Sequence, residues 1–135
     1  MTQHARLNIS SGTTWETLAG YSRAVRIDNH VWVAGTTASD ENTRPVGVGD
    51  AYAQTHYIFR KIERALQAAG ASLRDVVRTR IYLVRMEDWE AVARAHGEIF
   101  AEIRPANTLI VVAGLIGPEY LVEIEADAYL SGGGA

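Results

Sequence analysis

Two stretches of this chain place charge on every second residue between apolar neighbours, which restricts it to a fold whose sheet has two unlike faces. After Asp75 the segment VVRTRIYLV sets Val77, Thr79, Ile81 and Leu83 on one face and Arg78, Arg80 and Tyr82 on the other. From Leu121 the segment LVEIEADAYL alternates apolar residues with Glu123, Glu125 and Asp127. One face of each strand suits a core. The other is too charged for a core and too apolar for a surface left wholly to water. Assembly of several copies around an axis would cover it.

The rest of the chain supplies the other layer. Between Asp50 and Gly70, residues Thr55, Ile58, Phe59, Ile62, Ala65, Leu66 and Ala69 recur at three- and four-residue intervals, the stripe of an amphipathic helix. Asp50 suits its start and Gly70 its end. A second helix is predicted from about Asp88 to Ala101, where Trp89, Val92, His96, Ile99 and Phe100 share a face. SRAVRI and VWVAG, within Tyr21–Gly35, flank Asp28-Asn29 as a hairpin. Residues Ser39 to Gly49 carry no hydrophobic period and read as a loop. The short apolar run Thr108 to Ala113 fits a buried strand, ARLNIS an optional first strand, and SGGGA from about 131 a flexible tail. The order β-β-α-β-α-β-β predicts one α+β domain over residues 1–135, a mixed sheet with two helices packed on one face.

Composition removes several functions. The net charge of −3 gives no positive field for a polyanion, so no nucleic-acid partner is expected. With no cysteine, a disulfide framework, a thiolate metal site and a cysteine nucleophile are all out of reach. His4, His30, His56 and His96 have no metal-ligand spacing, so neither a metal nor another cofactor is expected. No run approaches the roughly 20 apolar residues of a membrane span and no secretory leader stands out. A cytoplasmic protein without a membrane partner is the expectation.

The strings GYSRAVRI, VWVAGTT, AGASLRDVVRTRIYL, RPAN and VEIEADA resemble the RidA/YjgF proteins, the family of reactive-intermediate (enamine/imine) deaminases once described as endoribonuclease L-PSP. The resemblance spans about Tyr21 to Leu130. It implies a chorismate-mutase-like fold and a homotrimer whose sheets face inward. It also implies clefts at the subunit interfaces that take small carboxylated ligands. By resemblance Tyr21 would offer a hydroxyl to the ligand, Gly35 a backbone amide, and Glu123 would position the attacking water. The family's deaminases carry an arginine after Pro-Ala to grip the substrate carboxylate, whereas this chain has Asn107. An asparagine amide gives a neutral hydrogen bond where an arginine gives a charged, bidentate one. Two further matched positions differ as well, as Leu109 and Ala93.

Each candidate also has a structural explanation. Glu123 suits a water-positioning carboxylate, and equally an ion pair with an arginine of the charged sheet face. Arg78 or Arg80 could replace the missing guanidinium, although pairing with the acids of the last strand is the commoner fate. His96 lies on an apolar helix stripe, where a satisfied packing histidine is more usual than a catalytic base. The resulting expectation is a small-molecule hydrolase acting on an imine or enamine, with Glu123 catalytic and Tyr21, Gly35, Asn107, Arg80 and His96 shaping the pocket. Weak turnover of 2-imino acids is expected. The alternative is a non-catalytic ligand-binding trimer, and a third reading, ribonuclease activity, suffers from the lack of a basic stripe.

Overall fold

In the computed structural model, which describes residues 5–131, the two alternating segments are neighbouring strands at the heart of one sheet. The elements run β1 (Arg6–Ile9), α1 (Thr14–Ala19), β2 (Ala24–Ile27), β3 (His30–Thr36), α2 (Ala51–Ala68), β4 (Val76–Leu83), α3 (Trp89–Phe100), β5 (Ala106–Val111) and β6 (Val122–Tyr129). The strand order is β1-β2-β3-β6-β4-β5. Only the β4–β5 pair is parallel. Asp50 accepts a hydrogen bond from the Ala53 amide at 3.0 Å and so caps α2. Gly70 follows its end at φ 83°, a left-handed conformation that favours glycine.

Helix α2 packs on β3 and β6, and α3 lies along α2. Ile58, Phe59, Ile62 and Leu66 of α2 meet Val31, Ile81, Leu83, Val122 and Ile124 of the sheet, all buried. Burying each such side chain contributes about 1.5–3 kcal/mol, which makes this layer the main stabilising element. Gln54 of α2 is fully buried, yet its amide is satisfied. It donates to the Glu119 carbonyl and accepts from the Leu121 amide, both at 2.9 Å, and so fastens the lead-in to β6 onto the helix.

Three expectations are corrected. Val77, placed inward by strict alternation, is 51% exposed while Val76 is buried. A register shift between Val76 and Arg78 against β6 inserts an extra residue and reverses the facing of Val77. The run expected to be a buried strand is instead the edge strand β5, shifted to Ala106–Val111 and exposed along most of its length. Trp89, counted on the buried stripe of α3, is 45% exposed, because that helix buries Val92, Ala95 and Phe100. Helix α1 was not anticipated, since a helix of six residues shows too few turns for a period to register. It ends on Gly20 at φ 73°. The expected tail lies outside the described residues from 132 on, as does His4.

Candidate functional site

The site begins with an irregularity in β3. Val33 pairs with Ala126 but Thr36 pairs with Ile124, so three steps along β3 match two along β6. The surplus residue makes a bulge at Ala34–Gly35. Gly35 does not have a positive φ, so torsion is not the reason for a glycine here. Space is: a Cβ on Gly35 would collide with the Glu123 carboxylate. The bulge therefore creates the seat in which that carboxylate rests.

Glu123 is half-buried, and burial pushes its pKa up from the usual carboxylate value; Arg23 opposes the shift and Glu125 adds to it. Arg23 enters from the segment before β2. Its Nη2 donates to the Gly35 carbonyl at 2.6 Å, and its buried Nε has no hydrogen-bond partner among the described residues. Burial lowers the pKa of this guanidinium, with Tyr21, Glu16 and Glu123 supporting the charge.

Helix α2 forms the facing wall. Tyr57, Lys61, Arg64 and Ala68, spaced by four, three and four residues, run beside the core stripe and line the cleft. The Lys61 ammonium donates to the Thr37 carbonyl at 2.6 Å and to Ser39 Oγ at 3.1 Å. Burial presses its pKa down to about 8, with the positive charges of Arg23 and Arg64 adding to the effect and Asp40 opposing it. Trp15 of α1, Tyr21 and Tyr120 complete an open cleft of about 1220 Å³.

Tyr21, Gly35 and Glu123 are thus brought together. Asn107, Arg80 and His96 are not among the residues lining the cleft within one chain. Asn107 Nδ2 donates to Thr79 Oγ1 at 3.0 Å, and the same hydroxyl is 2.8 Å from His96 Nε2. His96 packs against Phe59 and Phe100, and burial lowers its pKa, the behaviour of a packing residue. Arg80 pairs with Glu125 at 3.3 Å and Asp127 at 3.2 Å across the sheet. Tyr82 donates its hydroxyl to Glu125 at 3.1 Å. Among the described residues, no group of three or more His, Cys, Asp or Glu is placed to hold a metal ion.

Sequence reasoning missed Arg23, Lys61 and Arg64. The signal for the last two was the stripe Tyr57-Lys61-Arg64-Ala68 itself, which flanks the core stripe at helical spacing.

A six-stranded mixed sheet with a helical layer and a glutamate seated against a bulge at one sheet end is an α+β domain of the chorismate-mutase-like type. The profile of the Endoribonuclease L-PSP family matches residues 12–130. An uncharacterized protein of Streptomyces coelicolor is 41% identical over 129 residues, 96% of each chain. The 3-aminoacrylate deaminase RutC of Acinetobacter baylyi is 41% identical over 113 residues, covering 84% of this chain and 89% of RutC. A crystal structure of a Mycobacterium tuberculosis member of the YjgF/YER057c/UK114 family superposes with a TM-score of 0.85 at 48% identity, covering 93% of this chain and 100% of that one. The chain belongs to the RidA/YjgF family.

Proposed function

We propose that the cleft hydrolyses an imine or enamine of a small carboxylated metabolite, with Glu123 as the catalytic group. The observation that carries this reading is the half-buried Glu123 carboxylate held against the Gly35 bulge, inside a cleft lined by Tyr21 and Arg23. A raised pKa suits a group that must both accept and return a proton near neutrality. Acting on the protonated imine, Glu123 takes a proton from water as the oxygen adds to the C=N carbon and passes it to nitrogen; the C–N bond then breaks as the carbinolamine hydroxyl gives its proton back to Glu123. Ammonia leaves and a carbonyl compound remains. An enamine first gains a proton at carbon to become the protonated imine. Tyr21 orients the ligand through its hydroxyl, and the naming of one relative as a 3-aminoacrylate deaminase supports the reaction class.

The working form is proposed to be a cytoplasmic homotrimer. Edge strand β5 leaves Ile110 and Val111 each 46% exposed, and the charged sheet face carries Trp32 at 43%. Packing around a threefold axis would cover both and bring Asn107 of one subunit toward the cleft of the next. The second reading, a ligand-binding trimer without turnover, is favoured by one contact: the Asn107 amide is engaged with Thr79 of its own chain.

Ammonia release from an imine generated in situ tests the reading. Turnover in the natural protein that falls at least about a hundred-fold in Glu123→Gln supports hydrolysis. Saturable binding of the ligand with no turnover above the uncatalysed rate supports the binding protein.

A further inference from the structure

Two cations that line the cleft are held by carbonyls at the end of β3 and just past it. Arg23 Nη2 binds the carbonyl of Gly35 and Lys61 Nζ binds the carbonyl of Thr37. The charge of Arg23 acts on Lys61, so the two positive groups stand near one another in the cleft, one from the segment before β2 and one from α2. Two like charges in a half-buried cleft cost free energy, which Glu123 and Asp40 offset in part and a bound anion would offset further. Ser39 Oγ takes a second Lys61 hydrogen bond, which leaves one of the three ammonium donors for a ligand. Arg64, one turn along the same wall, has no hydrogen bond or ion pair among the described residues and adds a third charge.

We propose that Lys61 is the carboxylate anchor of this cleft, working beside Arg23 from within the same subunit, so that the acid group of the ligand points toward α2. The proposal rests on the reading of the cleft as a small-molecule site. It assigns to α2 the task that Asn107 on β5 is not equipped to perform. Arg80 is unsuited to it, since it is paired to Glu125 and Asp127 on the sheet face.

Calorimetric titration of the intact protein with pyruvate and with its neutral amide tests the anchor without any need for turnover. The natural protein binds pyruvate more tightly than the amide. Lys61→Met weakens pyruvate binding about ten-fold and leaves the amide unchanged, while Lys61→Arg retains the preference. Should Lys61→Met fail to fold, a pH series on the natural protein decides. The groups facing Lys61 are Arg23, Arg64, Asp40, Thr37, Ser39 and the phenols of Tyr57 and Tyr120. Loss of the lysine proton near pH 8 then lowers pyruvate affinity between pH 7 and 9, and Lys61→Arg abolishes that fall. Equal binding of pyruvate and amide, no binding of either, unchanged affinity in a folded Lys61→Met, or a flat pH series overturns the anchor. Lys61-dependent binding without turnover leaves the anchor standing and defeats the hydrolase.

Discussion

The Glu123 carboxylate occupies the space that a side chain at Gly35 would need. One residue is a bulge in β3 and the other the second residue of β6, so a local defect in strand pairing sets the position of the proposed catalytic group.

Gly35→Ala is expected to displace that carboxylate. Overpacking of this kind costs about 1–3 kcal/mol. A thermodynamic cycle of Gly35→Ala, Glu123→Ala and the double variant, read by urea unfolding, should show the penalty in the natural background and almost none once the glutamate is shortened. Equal penalties in both backgrounds would mean that the alanine strains the bulge itself.

The raised pKa of Glu123 predicts how stability varies with pH. Burial favours the neutral acid, so the folded protein binds this proton more tightly than the unfolded chain. Below the unfolded value the group contributes nothing unfavourable. As pH rises from there through the folded value, the carboxyl must ionise in a half-buried seat and stability is lost. Glu123→Gln, which stays neutral, should therefore melt higher than the natural protein at pH 7, with the gap closing below about pH 4. A variant that melts lower at pH 7 would show that attraction to Arg23 outweighs burial.

Much of this arrangement was legible in the residues. The alternation in VVRTRIYL and VEIEADAY predicts strands with unlike faces, and the three- and four-residue stripes predict α2 and α3; that the two strands are neighbours is a finding of the fold. Val77 was misplaced because a bulge shifts facing without altering composition. The apolar run at β5 reads as buried in the sequence because periodicity records that a surface must be covered, without recording whether the same chain covers it. Lys61 and Arg64 escaped notice because charged residues beside a core stripe are ordinarily solvated. Only the fold shows Lys61 reaching across to the end of β3.

The exposed apolar edge makes assembly testable. Ile110→Lys places a charge on β5, and if that strand packs in a trimer it should release folded monomers that sediment near 14.8 kDa. The natural protein should sediment as a trimer at micromolar concentration. A natural protein that is monomeric there would remove Asn107 of a neighbouring subunit from any part in the cleft.

Position 107 tests whether an arginine on β5 can serve as a carboxylate anchor. Its amide now serves Thr79, a role any nearby donor can partly replace, since Thr79 Oγ1 also meets His96. Asn107→Arg would exchange a neutral hydrogen bond worth about 0.5–1.5 kcal/mol for a charge-assisted one worth about 1.5–3 kcal/mol, a gain on the order of ten-fold in kcat/KM for 2-imino acids. If Lys61 already holds the carboxylate, the gain should be smaller in the natural background and larger in Lys61→Met, where the new guanidinium is the remaining specific anchor. Glu123→Gln should remove the gain in either background, because anchoring without proton transfer does not expel ammonia. Measured side by side, these variants separate grip from chemistry. An arginine at 107 that changes nothing in Lys61→Met would mean that β5 of the neighbouring subunit does not reach the cleft.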